Sequence, residues 1–129
     1  MVDDGSYLED IAREITYYGL ADWQMDADVC AAVFEYKGGA FGNQLRSRSL
    51  EVIKYMVDNC LVKVGELGYN ENEVFTFKPW PGTTEVVMER LRQNWPENMD
   101  FPEGMGDIFW VSNTELGDRL GRTHPEDVE

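Results

Sequence analysis

The sequence is poor in the side chains on which most catalytic and metal sites depend. Its 129 residues include two cysteines, one histidine and only 11 Lys and Arg against 25 Asp and Glu. Cys30 and Cys60 form no C-x-x-C pair and neither has a neighbouring histidine, which excludes a zinc or redox site. The pattern favours buried, reduced thiols and leaves a Cys30–Cys60 disulfide open. We therefore expect no metal and no cofactor.

Long hydrophobic runs are missing as well. The apolar stretches at 30–34 and 108–111 are far shorter than the roughly 20 residues that span a bilayer. The first residues read Val-Asp-Asp-Gly, where a secretory signal would be basic and then apolar. We therefore expect a cytoplasmic protein with no membrane contact.

Catalytic sequence motifs are missing too. The chain has no G-x-S-x-G elbow, no phosphate-binding glycine loop and no H-E-x-x-H helix. Its histidine, His124, stands beside Pro125 in a polar tail, where we expect it to be held too loosely for a general base. The acids leave a catalytic carboxylate pair open, but no spacing singles one out. The sequence predicts a protein that is not an enzyme.

Apolar residues, in contrast, are plentiful. They make up 43% of the chain, and aromatic residues make up 12%. A chain of this length buries roughly two thirds of its unfolded surface, so one core needs no disulfide or metal. No repeat or linker divides the sequence. We predict a single domain over residues 1–129 with a frayed tail at about 122–129.

Hydrophobic spacing predicts three helices in the first half of the chain. Apolar residues recur at helical intervals between capping residues and glycines. The predicted helices are 6–19, 22–38 and 44–60.

The second half is predicted to alternate strands and helices. Residues 61–64 and 74–78 read as two strands of a hairpin around a polar turn at 65–73. A helix from 82 or 83 to 95, a short strand at 108–111 and a brief helix capped by Thr114 follow. This mixture predicts an α+β fold.

Two segments resemble the winged-helix family. The passage from Leu50 to Leu67, through Cys-Leu-Val-Lys-Val-Gly, is similar to the last helix and first wing strand of such domains. The stretch from Trp110 to Gly117 is similar to their strand-then-T-x-x-G ending. The resemblance implies a winged-helix-like domain with three N-terminal helices, a β-hairpin, a further helix and a short third strand.

The whole chain also resembles a group of small acidic bacterial proteins. The shared segments are Val-Gly-Glu-Leu, Phe-x-Pro-Trp-x-Gly and Gly-Asp-Ile-Phe-Trp-x-x-Asn-Thr, in this order. This second resemblance implies a common fold and no particular activity.

Charge is segregated along the chain. Residues 1–35 carry nine acids and one base, residues 36–64 two acids and five bases, and residues 65–129 14 acids and five bases. The basic middle segment therefore stands between two strongly acidic ones.

The basic segment raises the possibility of DNA binding. In a winged-helix domain Arg46, Arg48 and Lys54 would lie on the recognition helix, so the alternative function is a DNA-binding transcriptional regulator. A net charge of −14 opposes it, because duplex binding depends on neutralising phosphates. The same bases can instead pair with Glu51 and Asp58 along the helix surface. Nucleic acid is therefore not the expected partner.

The acids cluster in two places. The two groups are Asp22, Asp26 and Asp28 on or near the second helix, and Glu97, Asp100, Glu103 and Asp107 in one loop. Scattered surface acids would serve solubility alone. A concentrated negative field attracts basic proteins and can occupy a cleft built for phosphates. We therefore predict a non-enzymatic acidic protein-binding module, an immunity-type or antitoxin inhibitor of a basic partner such as a toxin.

Aromatic residues give a further candidate contact. Large aromatics usually fill the core of a small domain. Trp80, held between two prolines at the predicted bend after the hairpin, is the candidate exposed anchor for the partner. A third hypothesis is a ligand-binding or enzymatic domain, with a pocket made by aromatic residues and Met25, Met56 or Met88.

Overall fold

The computed structural model describes residues 6–127. Within this range the chain forms five α-helices and four β-strands. The helices are α1 (Ser6–Gly19), α2 (Asp26–Glu35), α3 (Leu45–Asp58), α4 (Thr84–Asn94) and α5 (Glu115–Gly121). The strands are β1 (Gln24–Met25), β2 (Val62–Tyr69), β3 (Phe75–Pro79) and β4 (Trp110–Asn113). Short 3-10 helices cover Tyr36–Gly38 and Pro125–Asp127.

The four strands form one antiparallel sheet in the order β1-β4-β2-β3. Strand β4 lies in the middle, with Val111 opposite Gln24 on one side and opposite Val64 on the other. Strands β2 and β3 are neighbours in sequence and pair as a hairpin. The sheet is therefore completed only after α4, when β4 enters between β1 and β2.

The core lies between one face of this sheet and the helices. Val62, Val64 and Val111 point to that face and are buried. Asn113 lies on the same face, and its Nδ2 donates to the Thr16 carbonyl of α1 at 2.9 Å. The helices add their apolar stripes. The largest fully buried members are Ile11, Ile15, Val29, Val33, Val52, Ile53, Met56, Met88 and Leu91.

The structure confirms the α+β class and corrects two predicted elements. The second helix begins at Asp26 and not at 22, because residues 24 and 25 form β1 and pair with β4. Two residues are too few to show the alternation of apolar and polar residues that predicts a strand. Strand β1 is therefore recognised only from its pairing with β4.

The second correction concerns β2, which continues through residues 65–69 where a turn was predicted. Glycines at 65 and 68 made this segment look like a loop. Gly65 has a packing reason, since a Cβ there would overlap the Lys78 carbonyl oxygen and lie 2.7 Å from the Pro79 Cα. The glycine therefore permits a close approach between β2 and β3.

Thr123 and His124 contact α1, although the sequence predicted a frayed tail at about 122–129. Arg13 Nε donates to the Thr123 hydroxyl at 2.8 Å, and Glu14 contacts His124. Residues 128 and 129 of the predicted tail lie outside the described residues. Within 6–127, none of the helices has the length and apolarity that crossing a bilayer requires.

Candidate functional site

Helices α1 and α2 leave a groove between them that is lined by carboxylates. It consists of two adjoining cavities of about 390 Å³ and 250 Å³, which share Glu14, Ala32 and Glu35. We call it the acidic groove and define it by its carboxylates, Asp10, Glu14, Asp22, Asp28 and Glu35.

The spacing of residues on the two helices builds the groove walls. On α1, Asp10, Glu14 and Tyr18 recur every four residues and therefore share one face. On α2, Asp28 and Glu35 are seven residues apart, which is about two helical turns. Each wall is thus one stripe of a helix.

Small side chains keep the groove open. Ala21, Ala31 and Ala32 are among its lining residues, and Tyr18, 49% exposed, stands beside them. The methyl groups and the tyrosine ring give the groove an apolar component. The aliphatic stem of a lysine or arginine suits such a surface while its charged end meets the carboxylates.

The negative field of the groove acts on Tyr18. The Glu14 carboxylate raises the pKa of Tyr18 above its usual value, with smaller contributions from desolvation and from Glu126 and Glu35. The negative charge that Tyr18 would carry as a phenolate is opposed by the carboxylates around it.

The histidine is held at the side of α1. The Glu14 Oε1 lies 2.7 Å from His124 Nε2, and the imidazole stacks on Tyr17 with 4.2 Å between ring centroids. The Glu126 N–H donates to Nδ1 at 3.1 Å, so in the neutral ring Nε2 carries the proton and donates to Glu14. Both ring nitrogens are therefore engaged by the protein.

The three acids predicted near the second helix lie in different environments. Asp22 and Asp28 are exposed and line the groove. Asp26 is fully buried: its Oδ1 accepts from Gly106 N–H at 3.0 Å and its Oδ2 from Ile108 N–H at 2.9 Å. Asp26 therefore holds the loop before β4 in place. Because its oxygens are enclosed, it is not available to contact a partner.

The acids of that loop also divide. Asp100 reaches the first turn of α3, where its Oδ1 accepts from Arg46 N–H at 2.8 Å and its Oδ2 from Leu45 N–H at 3.3 Å. Glu97, Glu103 and Asp107 are exposed. Asp100 therefore has a structural task, and the other three remain available at the surface.

Trp80 is a buried side chain and not an exposed anchor. It is 8% exposed, its Nε1–H donates to Glu66 Oε1 at 3.0 Å, and the Arg90 guanidinium lies 4.4 Å from its ring centroid. The turn between its two prolines directs the indole inwards beneath Arg90. Arg90 and Glu66 therefore cover the part of the indole that a partner would meet from this side.

The three bases proposed for DNA contact are engaged within the chain. Arg46 donates to the Trp95 carbonyl at 2.7 Å and 3.2 Å. Arg48 Nη1 donates to the Tyr7 hydroxyl and to Glu51, both at 3.1 Å.

Lys54, the third base, lies 2.6 Å from Asp58. This contact lowers the pKa of Asp58 and raises that of Lys54. The pairing with Glu51 and Asp58 expected from the sequence is therefore present.

The cysteines do not pair. Cys30 is buried, where desolvation raises its pKa to about 12, and Cys60 is exposed. Within residues 6–127, no group of three His, Cys, Asp or Glu side chains is arranged to hold a metal ion.

Sequence reasoning missed Asp10, Glu14 and Glu35 as groove residues. Their signal was present as the i, i+4 spacing on α1 and the i, i+7 spacing on α2. It became a site only when α1 and α2 were placed side by side, because neither helix alone shows which faces meet. No family model, curated protein or solved structure matches the chain.

Proposed function

We propose that this protein is a non-enzymatic binding module, an immunity-type or antitoxin inhibitor, that receives a basic partner protein in the acidic groove. One observation carries the proposal. Five carboxylates line the groove, and its lining residues within the described part of the chain include no lysine or arginine.

Electrostatics explains why such a groove suits a basic partner. Carboxylates on two facing walls add their fields inside a concave surface, which raises association rates with cationic proteins. The alanine surface accommodates the stems of lysine or arginine side chains. The expected contact set is therefore the acidic groove, with the exposed loop acids Glu97, Glu103 and Asp107 as secondary contacts.

The engagement of His124 supports the non-enzymatic part of the proposal. A general base needs a free nitrogen near a substrate. Both nitrogens of this ring already have partners in Glu14 and Glu126.

A charge-neutralised variant tests the proposal. The probe is a helical peptide rich in lysine and arginine, and the groove variant carries Asp22→Asn, Asp28→Asn and Glu35→Gln. The matched control removes the same number of charges at Glu71, Glu73 and Glu89, which are exposed elsewhere. At low salt we expect the groove variant to bind about tenfold more weakly by calorimetry, and the control to change little.

If the proposal is right, the loss of peptide binding depends on where the carboxylates are removed, and the affinity depends on salt concentration. Wild-type binding should weaken as ionic strength rises, since exposed charges are screened. Equal losses in the two variants, or binding that salt leaves unchanged, would contradict recognition in the groove.

The winged-helix regulator remains the alternative function, and the order of elements favours it. A short strand follows the first helix, and β4 lies between this strand and β2. This arrangement is similar to that of winged-helix domains, with β3 and α4 as an insertion. The engagement of Arg46, Arg48 and Lys54 weighs against it.

A gel shift at low salt separates the two functions. We expect no shift of duplex DNA at micromolar protein. A shift that the triple alanine variant of Arg46, Arg48 and Lys54 abolishes, while it keeps its far-UV spectrum, would favour the regulator.

A further inference from the structure

Strand β3 forms one edge of the sheet, and it is the longer of the two edge strands. The sheet ends with β3 on one side and with the two-residue β1 on the other. An edge strand presents unpaired backbone groups, which proteins usually shield or use for association.

The hydrogen bonds of the hairpin reveal which backbone groups of β3 point outwards. The Trp80 N–H donates to the Val64 carbonyl, and the Asn70 N–H donates to the Val74 carbonyl, both at 2.9 Å. Antiparallel pairing alternates, so the even-numbered residues of β3 bond to β2. The N–H and C=O groups of Phe75 and Phe77 therefore point away from the sheet.

Pro79 occupies the next outward position. It has no N–H, so the edge offers donors at Phe75 and Phe77 and none at 79. A proline at such a position limits pairing to a short segment.

The side chains on the same part of the hairpin form an apolar surface. Phe77 faces Leu67 and Phe75 faces Tyr69 across the two strands. Phe75 is 51% exposed and Tyr69 66% exposed, and their rings meet edge to face at 5.2 Å. Two exposed aromatic rings beside unpaired backbone groups are features of an association surface.

We propose that a second copy of this chain pairs with β3 in antiparallel orientation, with Phe75 of each copy opposite Phe77 of the other. This register uses the outward N–H and C=O of both phenylalanines in both copies. It places Thr76 opposite Thr76 on the two-fold axis. It also continues the apolar surface across both copies as cross-strand phenylalanine pairs.

Backbone geometry selects this register. If one copy were shifted by a single residue, the outward-pointing N–H and C=O groups of one β3 strand would face residues whose groups point inward. Only shifts by an even number of residues therefore allow the two strands to pair. Centring the axis on Phe77 would place Pro79 opposite Phe75 and leave the Phe75 carbonyl without a donor. Centring the axis on Phe75 would instead place Phe77 opposite Glu73, which lies before the strand with a φ of 61°. The axis at Thr76 keeps both Pro79 and Glu73 outside the paired segment.

Local charge also fits a second copy. In this register Lys78 of one copy lies opposite the uncharged Val74 of the other, so no two like charges face each other within the paired segment 74–78. The two-fold axis repeats this Lys78–Val74 pair at both ends of the paired segment. Like charges directly opposite each other would oppose association, and this register avoids them.

The net charge of −14 opposes any self-association. At physiological ionic strength, salt largely screens the repulsion between exposed charges that are more than about 8 Å apart. Dimerisation should therefore strengthen as salt rises, which is the opposite of the trend expected for the basic partner in the acidic groove. The two proposals thus fail independently.

Sedimentation of the full chain tests the pairing. The interface is short, so we expect a weak dimer with a dissociation constant of about 100 µM at moderate salt. The dimer has twice the 14.8 kDa of one chain. A chain that stays monomeric up to millimolar concentration at moderate salt would overturn the proposal.

Charge exchange at the axis tests the register. Thr76→Lys and Thr76→Glu each place like charges opposite each other, so each variant alone should lose the dimer. An equimolar mixture should regain it, because lysine then faces glutamate. The matched controls Ser47→Lys and Ser47→Glu, at an exposed site on α3, should dimerise like the wild type.

The mixture also serves as a control for misfolding, since misfolded variants would not regain dimerisation when they are mixed. Dimers that persist in both Thr76 variants, or a mixture that fails to recover, would overturn this register. As a direct check in a Cys60→Ser background, Thr76→Cys should cross-link between copies on oxidation more than Lys78→Cys does, because residues 76 face each other at about 4.5 Å between Cα atoms.

Discussion

At the scale of single residues, Asp26 shows how one carboxylate can organise a loop. It also accepts from the Ala27 N–H at 2.6 Å, in addition to the amides of Gly106 and Ile108. A buried acceptor is tolerated when donors surround it, and here backbone amides supply them. The side chain thereby joins the start of α2 to the loop before β4, 80 residues later in the chain.

Asp26→Ala should therefore destabilise the protein strongly. It leaves buried amides without an acceptor, and we expect a loss of about 3 kcal/mol in the free energy of unfolding. Urea denaturation followed by circular dichroism measures this. The control Asp28→Ala removes an exposed carboxylate that accepts only from the Met25 N–H, and should cost under about 1 kcal/mol. Similar losses in both variants would show that Asp26 does not hold the loop.

At the scale of elements, α3 begins with a cap supplied from far along the sequence. Its N-cap residue, Gln44, makes no side-chain capping bond. Asp100 accepts from the first amides instead, across 55 residues. A carboxylate at a helix N-terminus satisfies free N–H groups and interacts favourably with the helix dipole. The cap also fixes the loop that carries Glu97 and Glu103.

Removing this cap should destabilise α3. We expect Asp100→Ala to lower the free energy of unfolding by about 1 to 2 kcal/mol, and Asp100→Asn to lower it less, because the amide keeps one acceptor. Equilibrium urea unfolding with an unchanged m-value is the measurement. Glu97→Ala, on the same loop, serves as the control and should stay within about 0.5 kcal/mol of wild type. If Asp100→Ala matched this control, the cap would not contribute to stability.

At the scale of the whole molecule, the distribution of charge separates two surfaces. Two of the basic residues of α3 are paired with acids on the same helix, Arg48 with Glu51 and Lys54 with Asp58. Of the carboxylates of the acidic groove, Asp10 pairs with Arg13 and Glu14 contacts His124, whereas Asp22, Asp28 and Glu35 have no lysine or arginine among the groove's lining residues. Unbalanced negative charge therefore remains concentrated between α1 and α2, where it opposes the close packing of these helices.

Added salt should therefore stabilise the protein. Screening reduces the repulsion within the groove, so the melting temperature measured by calorimetry should rise by a few degrees from low to moderate salt. Dilute protein keeps any dimer from contributing. The groove variant with Asp22→Asn, Asp28→Asn and Glu35→Gln should show a smaller rise than wild type. An equal rise in melting temperature in the two proteins would show that the screened repulsion lies outside the acidic groove.

The α+β class and most element positions followed from the sequence, because they depend on local chemistry. The helix from Ser6 to Gly19 lies where its hydrophobic period predicted it. Thr83 and Thr114 cap α4 and α5, and their hydroxyls accept from Val86 and Gly117 N–H groups. Periodicity and capping act within a few residues, so one segment contains all the information they need.

Only the tertiary structure decided which polar residues are available for function. Asp22 and Asp26 look alike in the sequence, yet one lines the acidic groove and the other is buried beneath the loop before β4. Likewise, Arg46 reaches Trp95 and Trp80 lies beneath Arg90 through contacts between distant segments. Burial and pairing of this kind are properties of packed elements, and a linear pattern of residue types does not encode which faces will meet.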